Sequence, residues 1–238
     1  CGVSGSWSAV GTPPQGNADS YSLLMPLASG NVMLINRSTT NILRFSSWNG
    51  SFWSSFQNID AAAVQNTTYD VGFAATVDVD SNDIYLAYAA DNNDFVTADH
   101  DIRTAYYDGS GWTAKTDVLT NVVGRGILQV AISRNQNNGD IYVGYTARST
   151  IGTAATANVY SKRSTDGMTS WDTEQGPYNA SAGDIYGIDM NLMAFERIYG
   201  SWFNITIGND LFGDTIADIG PDVTLSSIGT QRAQVRPG

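Results

Sequence analysis

The chain has one cysteine among 238 residues, Cys1, so it forms no internal disulfide and no cysteine-ligated metal cluster. Lysine and glutamate are nearly missing, with two of each. These residues populate helix surfaces, and their scarcity beside 21 Asp, 19 Asn, 24 Gly and 45 Ser plus Thr excludes a mainly helical protein. No run of 18 apolar residues is long enough for a membrane-spanning helix, and no charged segment precedes an apolar one as in a secretory signal. Positive charge is scarce as well. Twelve Lys and Arg against 23 Asp and Glu give a net charge of −11, which excludes a nucleic-acid partner, because a phosphate backbone needs a cationic footprint. Charged residues make up 15% of the chain against roughly 25% in an average domain, and hydrophobic residues 42%. The chain is therefore a folded domain whose surface is polar through Ser, Thr, Asn and Gly. Its length suffices for one large core or two small ones.

What is present is a repeat. A turn followed by an apolar, aromatic strand occurs at Gly30-Asn31-Val32-Met33-Leu34-Ile35, Asp83-Ile84-Tyr85-Leu86-Ala87-Tyr88, Asp140-Ile141-Tyr142-Val143-Gly144-Tyr145 and Arg197-Ile198-Tyr199-Gly200-Ser201-Trp202, at intervals of 53, 57 and 57 residues. In phase with it, a Gly/Asp turn leads into Trp53, Trp112 and Trp171, each 59 residues after the last, and Gly5-Ser6-Trp7 is a further copy. Within each repeat the residues sort into four short strands; in the second they fall at about 71–79, 83–90, 101–108 and 111–118. The first two are almost continuously apolar, the pattern of strands buried on both faces, and the outer two are more polar. A four-stranded antiparallel sheet repeated around an axis is a β-propeller blade, so the expected fold is all-β. The tryptophans are expected as wedges between neighbouring sheets. A β-sandwich also uses many short strands but gives no reason for a 57-residue period.

The expected organisation is an N-terminal segment 1–17 with a blade-closing strand around Trp7, propeller repeats over 18–219, and a tail at 220–238. Pairing 5–11 beside 210–217 would close a four-bladed ring and hide its edges; a larger propeller completed by further sequence or a second chain is the alternative.

The stretch Ser164-Thr165-Asp166-Gly167-Met168-Thr169-Ser170-Trp171 resembles the Asp-box of BNR-repeat, sialidase-like propellers, Ser-x-Asp-x-Gly-x-Thr-Trp. Ser164, Asp166 and Trp171 match, while Met168 stands at the Gly position and Ser170 at the Thr position. In physical terms, Asp166 is placed to accept N–H groups within the turn between the third and fourth strands, with Trp171 packing below it. The resemblance implies a propeller in which this motif is structural. It also implies, for the family's hydrolases, three arginines holding a sugar carboxylate, a Tyr paired with Glu as nucleophile and an Asp acid/base. The Arg-Ile-Pro motif that carries the first arginine in that family is absent. Arg37, Arg125 and Arg148 fall near the ends of inner strands, Tyr145 lies on a second strand, and Glu196 and Glu174 are the two glutamates. Tyr145 with Glu196 would be the attacking pair. The plain alternative makes these arginines surface residues at hairpin ends.

Two acidic stretches invite a cation. Asp78-x-Asp80-x-Asn82-Asp83 alternates oxygen ligands as a calcium loop does, without its sixth-position Gly or bidentate Glu, and reads first as a hairpin turn. The loop from Asp91 to Asp101 surrounds the sole histidine, His100, with acids. No cofactor is expected beyond weak calcium binding. Five Asn-x-Ser/Thr sequons, at Asn36, Asn49, Asn66, Asn179 and Asn204, compare with about 3.6 expected by chance from this composition. Acidity, few lysines and turn-rich polarity point to an extracellular or cell-surface setting, and Cys1 resembles the lipid-carrying first residue of a mature bacterial lipoprotein. The functional expectation is a non-catalytic module that presents loops to a glycan or protein ligand, self-association included; a sialidase-like glycosidase is the alternative.

Overall fold

The computed structural model describes residue 14 and residues 22–63, 72–90, 100–122, 126–148, 157–177, 185–193, 197–204 and 210–217. Trp7, the loop 91–99, Arg125, Glu196, Asn66, Asn179 and the tail 220–238 lie outside them. The chain is all-β, built of antiparallel sheets that follow the repeats. The first sheet is β1 (Ser22–Pro26), β2 (Val32–Arg37), β3 (Ile42–Trp48) and β4 (Gln57–Ala63). The second is β5 (Phe73–Val77), β6 (Ile84–Ala90), β7 (His100–Tyr107) and β8 (Trp112–Ala114), with β9 (Leu119–Val122) also pairing β7. The third is β10 (Gly126–Arg134), β11 (Ile141–Arg148) and β12 (Ala157–Ser164), and the fourth is β13 (Ile185–Met193), β14 (Arg197–Asn204) and β15 (Asp210–Ala217).

Among the described residues the first sheet thus has four strands, the second five, and the last two three each. In the third, the chain after the Asp166 turn returns alongside β12, joined to it by the Asp172 N–H donating to Arg163 O and by the bridge of Ser161 with Gln175. The first strands stand side by side, β1 against β5, β5 against β10 and β10 against β13, as the inner strands of a propeller do. Among the described residues the four sheets form no closed ring.

Hydrophobic cores lie between neighbouring sheets, and the second sheet is covered on both sides. Strand β6 shows how. Its residues Ile84, Leu86, Tyr88 and Ala90 join Met33, Ile35 and Leu43 of the first sheet, while the alternating Tyr85, Ala87 and Ala89 join Val130, Ile141, Val143 and Tyr145 of the third. A strand with period-two side chains and two buried faces must be apolar throughout, which is why Ile84–Ala90 carries no polar position. Each fully buried Leu, Ile or Tyr there contributes roughly 1.5–3 kcal/mol.

Turn chemistry fixes the sheet-to-sheet register. The turns between first and second strands interlock: Ser29 N–H donates to Asn82 Oδ1 at 2.9 Å and Gln136 Nε2 donates to Val77 O at 3.0 Å. Arg134 of β10 pairs with Asp78 at 2.9 Å and lies over the Tyr85 ring. The expected wedges are in place at two positions. Trp112 packs 6.0 Å from Phe45 of the first sheet, and Trp171 Nε1 donates to Thr116 O of the second sheet at 2.8 Å.

Candidate functional site

Each sheet has a turn end, where first–second and third–fourth strands are joined, and an opposite end, where the chain passes to the next sheet. At the opposite end of the first and second sheets a charged cluster forms. Asp60 of β4 accepts a hydrogen bond from the Tyr88 hydroxyl at 2.5 Å and faces Arg103 of β7 at 3.5 Å. Arg103 also faces Asp101 at 3.8 Å. Burial raises the Asp117 carboxyl above the usual aspartate range; Arg103 opposes the shift, and Asp101 and Asp60 add to it. Three carboxylates thus share one guanidinium. Burial and the Asp60 bond push the Tyr88 phenol far up, the reverse of what a phenolate nucleophile needs.

The third sheet holds a second tyrosine–carboxylate contact, made to the acid of its own repeat where Tyr88 takes the acid of the preceding one. Tyr145 donates to Glu174, is fully buried, and stacks on Tyr160 with centroids 5.9 Å apart. Tyr88 and Tyr145 are 57 residues apart, and Asp60, Asp117 and Glu174 are likewise separated by 57 and 57. Of this series the sequence pattern singled out Glu174 and not Asp60 or Asp117, although the same period that reveals the turns marks all three.

The sequence-predicted residues distribute as follows. Tyr145 has Glu174 as a partner; the expected Glu196 lies outside the described residues, as does Arg125. Arg148 ends β11. Arg37 ends β2 at a hairpin, as expected, but it is not a surface residue. It is 3% exposed, its apolar stem allowing burial while its head group is engaged. With Arg125 outside the described residues, the expected arginine triad as a whole lies outside them too. In the acidic turn, Asp78 Oδ1 accepts the Asp80 N–H, Asp78 pairs with Arg134 and Asn82 Oδ1 accepts from Ser29, so these oxygens serve turn and sheet contacts. Among the described residues no group of three or more His, Cys, Asp or Glu is arranged to hold a metal ion. The sequon residue Asn36 is buried, its Oδ1 accepting from Arg44 Nε.

At the turn end, Asp166 Oδ1 accepts the N–H groups of Thr169 and Ser170 at 3.1 and 2.9 Å, and Oδ2 accepts the Ser170 hydroxyl at 2.6 Å. Ser164 Oγ bonds Asp166 and accepts the Met168 N–H. These donors hold the Asp166 carboxyl at about 2. Asp108 does the same one repeat earlier, accepting from Ser110 and Gly111, and also sits at about 2. Asn49 accepts from Ser51 and Phe52 in the first repeat.

No protein-family model matches the chain, and no curated protein matches it in sequence. Solved structures do match in fold. An α-L-arabinanase of Penicillium chrysogenum complexed with arabinobiose superposes with a TM-score of 0.58 at 11% identity over 86% of this chain and 66% of its own. An α-L-arabinofuranosidase of Fusarium graminearum gives 0.58 at 9% identity, over 83% and 62%, and a Hadza microbial sialidase gives 0.56 at 10%, over 87% and 46%. The chain spans at most about two thirds of the length of these three structures, and its sheets are arranged as in these β-propeller glycoside hydrolases.

Proposed function

We propose that the chain is a non-catalytic, extracellular propeller module that binds glycans through its exposed surfaces. The observation that carries this reading is the state of Tyr145. The tyrosine expected as nucleophile is fully buried, and like Tyr88, which bonds Asp60 of the preceding sheet, it donates its hydroxyl to a carboxylate. A buried tyrosine held by a carboxylate between packed strands reads as a structural tie, whereas a nucleophile has to meet substrate. The hydrogen-bonded turn at Asp166 supports assignment to the Asp-box propellers, and the glycan-acting enzymes of similar fold support a saccharide ligand. Fold alone does not fix function. On this reading the propeller body covers 18–219. Small-angle scattering distinguishes a four-sheet ring from a partial, larger propeller.

The second reading, a sialidase-like hydrolase, has one specific point in its favour: a Tyr–Glu pair does exist, as Tyr145 with Glu174. Fluorogenic sialoside and arabinofuranoside assays decide. The expected result is no turnover together with binding on a glycan array. Turnover that vanishes in Tyr145→Phe would replace the binding reading with the enzymatic one.

A further inference from the structure

The third–fourth strand turn of the first sheet differs from its two counterparts in what its tryptophan meets. Trp112 and Trp171 are covered by the preceding sheet, through Phe45 and Thr116 respectively. Trp53 instead pairs with Trp48 of its own sheet, the two indoles tilted at 46° with centroids 5.7 Å apart. Together with Phe52, which is 64% exposed, they line an open cleft of about 440 Å³. The rest of its lining is Pro14, Ser51, Ser54 and Ser55, and among the described residues no charged side chain contributes.

That composition selects an occupant. Small-molecule sites have this volume and this mixture of aromatic walls with a few hydrogen-bonding groups. A sugar ring fits the mixture, since its C–H face stacks on an indole and its hydroxyls exchange hydrogen bonds with serines. In a chain of net charge −11, an uncharged lining favours a neutral sugar over an acidic one. The turn is also held in place before any ligand arrives, because Asn49 Oδ1 accepts both the Ser51 and Phe52 N–H groups at 3.0 Å.

We infer that the Trp48–Phe52–Trp53 cleft is a binding site for a neutral saccharide. The inference rests on the glycan-binding reading above and narrows it to a place and a ligand class. The test is tryptophan-fluorescence titration of the whole chain with cellohexaose, xylohexaose and arabinohexaose, with 3′-sialyllactose as the acidic control. At least one neutral oligosaccharide is expected to shift the emission, and Trp53→Ala is expected to weaken its binding roughly tenfold, the scale of one lost aromatic contact in a cleft. Phe52→Ser serves as the second variant, since so exposed a ring can be removed without unfolding the sheet, and it is expected to weaken binding in the same direction. Neutral sugars that bind both variants as tightly as the parent would overturn the cleft while leaving the glycan-binding reading standing, as would binding of sialyllactose alone. No response to any of the four, together with a blank glycan array, would overturn both. A concentration-dependent dimer that Phe52→Ser abolishes, without any sugar response, would make the cleft an interface between copies and would also overturn the site.

Discussion

Met168 sits where backbone strain and burial oppose each other. Its φ is +66°, the left-handed region that costs an L-residue roughly 1–2 kcal/mol, while its side chain is fully buried between the second and third sheets. Replacing a buried methionine by alanine costs about 2–5 kcal/mol in lost contacts and residual cavity. Met168→Ala loses that burial and keeps the strain; Met168→Gly loses slightly more volume but releases the strain. The expected order of stability is Met above Gly above Ala, with Gly about 1 kcal/mol better than Ala and still about 1–4 kcal/mol below the parent. Urea unfolding at neutral pH measures the order directly, and thermal midpoints should fall by roughly 2–4 °C per kcal/mol for a chain of this size. A glycine variant as stable as the parent would show that the buried side chain contributes little. An alanine variant equal to glycine would show that the positive φ is not held in solution.

Three further outcomes follow from the electrostatics. The raised Asp117 carboxyl favours the folded state while protonated, so stability should be lost as pH rises from the ordinary aspartate range through the raised folded value; Asp117→Asn should flatten that loss in a thermal-melt series across mildly acidic pH. Asp166 runs the other way, its contribution being present above the ordinary aspartate value and lost as pH falls toward about 2. Asp166→Ala should therefore be less stable than the parent at pH 7, and the gap between them should close in melts taken at progressively lower pH. Tyr88→Phe should destabilise by about 1–3 kcal/mol through loss of the bond to Asp60, read by urea unfolding, and an unchanged midpoint would mean that Arg103 alone satisfies that carboxylate.

Much of the architecture was legible because it depends on local pattern. The unbroken apolar run Ile84–Ala90 already required two covered faces, and the Gly–Trp phrases located the turns. Met168 looked like a degraded position of its motif, yet the backbone keeps the conformation that glycine would take there. The tyrosine–carboxylate links were harder to see, since Asp60, Asp117 and Glu174 lie in polar outer segments where an isolated acid resembles solvated surface. The burial of Arg37 and Asn36 depends on how residues distant in sequence are brought around a hairpin, which spacing does not carry.

Strand β6 has a consequence for how the molecule opens. Its alternate side chains belong to the cores on either side of the second sheet, so pulling it away from either neighbour exposes apolar surface on both. The first three sheets therefore cannot fray one at a time as beads on a string would. Backbone amides at the centres of β2, β6 and β11 should exchange with solvent at one common, slowest rate, set by a single opening event that takes all three sheets apart together.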